Sequence, residues 1–145
     1  VYYMRKKKVE ITEEAVEQAD AGKVRFLLKT PEFIDRDKEF MDTLLAYIEE
    51  NIGDSELRVD DMASQLRMSR TVFYERIKEI ADMAPADFLR HVRMQRAEEL
   101  IKGTREPFSQ ISYQVGFTDP KYFSKCFKKH TGMSPSEYRK ASQNE

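Results

Sequence analysis

Arg70, Thr71, Tyr74, Glu75 and Lys78 follow one another at steps of one and three residues, which puts their side chains on one face of a helix. Fifty residues on, Pro120, Lys121, Ser124, Lys125 and Lys128 repeat that spacing. These residue types suit recognition rather than bond breaking. A lysine can donate to guanine O6 and N7, a glutamate can accept from cytosine N4, and a threonine methyl can meet the methyl of thymine. Arg70, Lys78 and Lys128 are equally suited to phosphate oxygens, which set register without reading sequence. Any exposed helix face is polar, so one such face alone would say little; what gives it weight is the repetition.

The elements that must carry these faces are short amphipathic helices. Phe40, Leu44, Tyr47, Ile48 and Ile52 recur at helical steps and predict a helix from about Asp37 to Ile52, stopped by Gly53. A short helix is expected from about Val59 to Arg67, and another from Ser69, whose hydroxyl can cap it, burying Phe73, Ile77 and Ile80. Pro85 suits the first turn of a longer helix that ends before Gly103. Ser109 to Val115, Pro120 to His130 and Pro135 to Lys140 predict three more. Upstream, Glu13 to Ala19 is a candidate short helix capped by Thr12 and stopped near Gly22, and Lys23 to Leu28 a candidate edge strand. Residues 1–34 otherwise read as a linker or tail, and 35–145 as the folded domain.

The helices are written twice. Met62 lies on Ile111, Leu66 on Val115, Met68 on Phe117 and Ser69 on Thr118 at an offset of 49 residues. Beyond the turn the offset is 50 and pairs Phe73 with Phe123, Ile77 with Phe127, Met83 with Met133, Pro85 with Pro135 and Phe88 with Tyr138. One residue inserted in the second turn accounts for the step. The architecture expected is all-α: two tandem, homeodomain-like helix-turn-helix subdomains joined by a long connecting helix. B-DNA presents its major groove to one side every ~34 Å, and a connecting helix of this length suits two successive grooves.

Composition agrees with such a fold. Of 145 residues, 40% are hydrophobic and 35% charged, with five Gly and five Pro, too few for a turn-rich β fold. A net charge of −1 hides a division: residues 1–61 hold 10 basic and 16 acidic side chains, residues 62–145 hold 15 and 10. Local charge governs phosphate binding, so the second part is the candidate for nucleic acid. A single cysteine excludes an internal disulfide framework and points to a reducing cytoplasm. No apolar run reaches the roughly 20 residues of a membrane-spanning helix. The chain begins at Val1, which suggests a piece of a longer protein.

Catalytic chemistry finds little to work with. Cys126 and His130 are four apart on one helix face, but two ligands do not complete a zinc site, and His91 is distant along the chain. Glycine-rich phosphate loops and Gly-x-Ser-x-Gly elbows are missing from the sequence. No enzyme activity, metal or cofactor is expected.

From Phe40 to Lys140 the sequence resembles the AraC/XylS family of transcription regulators. The likeness rests on Met62-Ala63-Ser64-Gln65-Leu66, on Met68-Ser69-Arg70, on Phe88 to Met94, and above all on Ile111 to Asp119, Tyr122 to Lys129 and Thr131 to Arg139. It implies a seven-helix fold, major-groove binding by both recognition helices, and activation through contact with RNA polymerase. By position it implicates Thr71, Tyr74 and Glu75 in the first unit and Pro120, Lys121, Ser124 and Lys125 in the second. Arg90, Arg93 and Arg96 share the connecting helix and can either touch the DNA backbone between the grooves or pair with Asp87, Glu98 and Glu99; of the three, Arg93 is counted among the expected DNA contacts.

Two departures stand out. Arg67 occupies a turn position where the family often has glycine, and a left-handed arginine costs on the order of 1 kcal/mol, which predicts a differently shaped turn. Glu75 stands where a basic or amide residue is common and would repel phosphate, so the first unit is expected to bind more weakly. Together with the acidic first part, these departures motivate the competing expectation of a protein-interaction module without DNA specificity. Family members carry a separate regulatory domain. A missing upstream sensor or receiver, which would also supply dimerisation, is therefore expected, as in Bacteroides-type hybrid two-component or membrane-tethered regulators. Val1 to Met4 followed by Arg5-Lys6-Lys7-Lys8 fits either the inner edge of a membrane span or an ordinary basic linker.

Overall fold

Helix boundaries follow the capping chemistry of the sequence. The computed structural model describes the backbone of residues 31–144 and the side chains of residues 36–144. The basic cluster, short helix and edge strand expected before residue 30 lie outside the described residues. Among those described there are seven helices and no strand: α1 (Pro31–Glu50), α2 (Val59–Gln65), α3 (Arg70–Ala81), α4 (Pro85–Gly103), α5 (Phe108–Gln114), α6 (Pro120–Thr131) and α7 (Pro135–Gln143). The all-α expectation holds for the described residues.

α1 begins six residues before the expected Asp37, inside the stretch read as linker. Pro31 lacks an amide hydrogen and so loses nothing in a first turn. The other boundaries fall within three residues of expectation, and the starts at Val59, Pro85, Pro120 and Pro135 coincide with it. Ser69 caps α3 by accepting from the Val72 amide at 3.2 Å. Asp119 caps α6 by accepting from Lys121 N at 3.0 Å. Ser134 and Glu137 form a reciprocal capping box at the start of α7.

The chain divides into two compact units. The first takes α1 as far as Tyr47 together with Val59–Phe88; the second takes Ile48–Arg58 and everything from Leu89. The long helix α4 therefore belongs mostly to the second unit. The first unit buries Phe40, Met41, Leu44, Met62, Phe73, Ile77, Ile80 and Phe88. In it the Phe40 and Phe73 rings, on α1 and α3, stand 6.2 Å apart. The second unit closes around Met94, Ala97, Ile101, Ile111, Val115, Phe123 and Phe127, with Leu100, Phe108, Phe117, Cys126 and Tyr138 packed against them.

Hydrogen bonds repeat as faithfully as side chains. In the first unit Leu66 N donates to Met62 O (3.2 Å), Arg67 N to Ser64 O (3.0 Å) and Met68 N to Ala63 O (3.0 Å). In the second, Val115 N donates to Ile111 O (3.1 Å), Gly116 N to Tyr113 O (3.0 Å) and Phe117 N to Ser112 O (2.9 Å). Arg67 thus takes the place of Gly116, and it does so in the left-handed region, at φ 57° against 89°. The differently shaped turn expected from Arg67 is not found: the backbone bonds of the turn outweigh the strain of a left-handed side chain.

The caps also move the step in the repeat. Phe73 N donates to Ser69 O and Phe123 N to Asp119 O, so Ser69 corresponds to Asp119 and the added residue is Thr118. The offset of 50 then continues to the left-handed C-caps, Asp82 (φ 56°) and Gly132 (φ 84°). One paired position diverges. Met83 is buried but Met133 is exposed, its backbone bonded on both sides to Thr131 Oγ1.

Candidate nucleic-acid interface

Burying Phe73, Ile77 and Ile80 turns the opposite face of α3 outward, and burying Phe123 and Phe127 does the same for α6. Thr71, Tyr74, Glu75 and Lys78 are exposed on the first helix; Lys121, Lys125 and Lys128 are exposed on the second. Pro120 and Ser124 are half-buried. Arg70 is exposed, and its Nε lies 3.4 Å from Asp60 Oδ1 with both side chains largely in water. An ion pair of that kind is worth about 0–1 kcal/mol and does not hold the arginine back from a stronger anion.

The cations of the two helices differ in what they are committed to. On α3, Arg76 is half-buried: Nη2 donates to Asp37 Oδ1 at 3.2 Å, and the guanidinium lies 4.7 Å from the centroid of Phe40. It ties α1 to α3 and was absent from the expected contacts. Asp37 is itself only 4% exposed. On α6, Lys121, Lys125, Lys128 and Lys129 share the helix with no carboxylate; Asp119 caps its start, and the charge of Lys128 acts on Glu137 of α7.

Arg93 corrects the sequence reading. It is 9% exposed. Its Nη1 donates to Gly116 O at 3.1 Å and its Nη2 to Asp54 O at 2.8 Å, both within the second unit. Burial lowers its pKa, and the charge of Asp54 partly offsets that. A guanidinium enclosed and spent on two carbonyls is not presented to phosphate. It holds the segment after α1 against the turn between α5 and α6. Gly116 completes this joint: a Cβ there would collide with Ile52 O and lie 2.7 Å from Arg93 Cζ. Arg96 pairs with Glu49 (3.5 Å) and Glu99 (3.6 Å), partners on α1 and on its own helix.

The second unit also gathers groups that are remote in sequence. The rings of His91 and His130 meet edge to face at 5.0 Å, and His130 Nε2 lies 3.5 Å from Glu98 Oε2. Tyr138 donates to Glu98 Oε1 at 3.1 Å, and burial raises the Tyr138 pKa. Among the described residues no group of three or more His, Cys, Asp or Glu side chains is arranged to hold a metal ion. Cys126 is half-buried against the aromatic core. No described helix is long and apolar enough to cross a membrane.

Sequence reasoning passed over Val72 and Tyr122, which are 51% and 52% exposed on the two candidate helices. They correspond at the offset of 50, a signal that was available. Both are apolar residues beside a buried phenylalanine, and only their exposure separates them from core.

Comparison with known proteins follows the same outline. The sequence profile of a family described as a helix-turn-helix domain matches residues 62–141. Histidine kinase P4 of Formosa agariphila is 36% identical over 103 residues, covering 71% of this chain and 8% of that protein. The Msm operon regulatory protein of Streptococcus mutans is 35% identical over 107 residues, covering 74% of this chain and 38% of that protein. The C-terminal domain of AraT, a response regulator from Geobacillus stearothermophilus, superposes with a TM-score of 0.64 at 30% identity, covering 70% of this chain and 84% of that one. The chain thus spans well under half the length of either curated relative.

Proposed function

Because the chain belongs to the AraC-type helix-turn-helix family of DNA-binding transcription regulators, we propose that α3 and α6 enter successive major grooves of one asymmetric site. The observation that carries this reading is the duplicated scaffold: two left-handed turns with matching hydrogen bonds, each leading to a capped helix with an exposed polar face. Thr71, Tyr74, Glu75, Lys121, Ser124 and Lys125 are the candidate base readers. Arg70, Lys78 and Lys128 are the candidate phosphate contacts, and Pro120 sets the start of α6. Arg93 is left out, for the reason its burial gives.

The curated relatives are much longer than this chain and include a histidine kinase, and a response regulator shares the fold. These likenesses support the chain from α1 onward as the output domain of a cytoplasmic transcription activator in a two-component system, with the residues before α1 a linker from an upstream sensor or receiver. RNA polymerase is the further proposed partner, and dimerisation belongs to the upstream part.

Lys125→Ala tests the reading. If Lys125 reads a base, the variant loses about 1–3 kcal/mol of affinity and relaxes preference at one or two base pairs. Unchanged affinity and preference remove Lys125 from the reading set. Wild-type binding that does not weaken with salt favours the interaction-module alternative instead, since phosphate binding must fall with log salt at a slope near −0.9 per phosphate neutralised.

A further inference from the structure

The two candidate recognition helices share a backbone plan but differ in chemistry at several matched positions. Thr71 stands where α6 has Lys121, Val72 where it has Tyr122, Tyr74 where it has Ser124, and Glu75 where it has Lys125. α3 carries three cations against two carboxylates, and one of those cations, Arg76, is turned inward onto Asp37 and Phe40. α6 carries four lysines and no carboxylate. α3 also exposes two large apolar side chains, Val72 at 51% and Tyr74 at 47%. Valine is a mediocre helix former, so an exposed one contributes little to holding α3 together. On α6 the one large apolar exposure is Tyr122, whose ring leans on Phe117 at 5.9 Å.

We propose that the helices divide the labour: α3 reads a thymine-bearing block through methyl contacts from Thr71, Val72 and Tyr74, and α6 reads a guanine-bearing block and supplies most of the phosphate attraction. The inference rests on the DNA-binding reading above and adds to it the chemistry of each half of the site. The thymine C5 methyl is the apolar feature of the major groove, and Thr and other apolar contacts are what recognise it. Guanine O6 and N7 are acceptors that suit lysine. Glu75 repels phosphate but can accept from cytosine N4, so a cytosine beside the thymines fits the same face.

The test uses the 145-residue chain and a duplex carrying its selected site. The α6 block is identified as the one whose preferences Lys125→Ala relaxes, and the other block belongs to α3. Deoxyuridine then replaces thymidine in one block at a time, which removes the methyl and keeps base pairing. Each replacement in the α3 block is expected to weaken binding about three- to fivefold, the worth of one buried methyl, with no such loss in the α6 block. In the α6 block, 7-deazaguanine in place of guanine removes N7 and is expected to weaken binding. Tyr74→Ala, an exposed substitution, is expected to abolish part of the deoxyuridine penalty in the α3 block and leave the 7-deazaguanine penalty intact. Deoxyuridine tolerated in the α3 block, or penalised equally in both, overturns the division while DNA binding stands. A chain that selects no sequence overturns the DNA reading itself, and this inference with it.

Discussion

Replacing Gly116 with alanine is expected to destabilise the protein by about 1–4 kcal/mol, and the magnitude follows from two costs and a smaller return. At φ 89° any L side chain in the left-handed region loses roughly 1–2 kcal/mol. The new methyl would also overlap Ile52 O and lie 2.7 Å from Arg93 Cζ and 2.8 Å from Arg93 Nη1. None of these is the loose end of a flexible chain: one is backbone and the guanidinium is held by two carbonyls, so relieving the overlap costs about 1–3 kcal/mol. The smaller entropy of alanine in the unfolded chain returns about 0.5–1 kcal/mol. Gly132 is the internal control. Its φ is 84°, but nothing lies within 4 Å of a Cβ there, so only the conformational term applies and Gly132→Ala should change stability by about 1 kcal/mol. Thermal unfolding of the two variants beside the parent reads the difference, roughly 5–15 °C in midpoint for Gly116→Ala. If Gly116→Ala is no more destabilising than Gly132→Ala, the close joint between the turn, Ile52 and Arg93 is not formed as described.

Two more outcomes follow from the geometry. Arg93→Met leaves the Gly116 and Asp54 carbonyls without their donor, and should cost about 2–4 kcal/mol in denaturant unfolding. It should leave the salt slope of DNA binding unchanged, and a slope smaller by about 1 would restore Arg93 as a phosphate contact. Glu137 has its carboxyl pKa lowered, chiefly by the hydrogen bond from the Ser134 backbone amide. Its contribution is present above the ordinary carboxylate pKa and is lost as pH falls through the depressed folded value. Unfolding curves of Glu137→Gln should therefore lack part of the acid-side loss of stability seen in the parent, and identical pH dependence would count against the capping box.

The repeat was legible because caps and buried positions are local and periodic. Ser69, Pro85 and Pro135 announce helix starts, and Phe73, Ile77, Phe123 and Phe127 mark the inward faces. The outward faces of α3 and α6 follow from the same period. What escaped depends on contacts far apart in the chain. Arg93 looks like any other basic residue on α4 until Gly116 and Asp54, 23 and 39 residues away, are brought to its guanidinium. Arg76 is hidden by Asp37, 39 residues upstream, and His91 meets His130 across a similar gap. Arg67 was misjudged for a different reason. Propensity prices a left-handed arginine alone, whereas the turn that contains it gains three backbone hydrogen bonds. Placing the inserted residue needed the caps, because Ser69 resembles Thr118 in type but shares its role with Asp119.

Selection of this chain on a random double-stranded DNA pool, with affinity for the enriched sequence measured at two salt concentrations, tests the central claim most directly. The account predicts a motif of two blocks about ten base pairs apart, bound with a steep salt dependence. No enrichment together with salt-insensitive binding, in this chain and in an artificially dimerised form of it, would contradict the account.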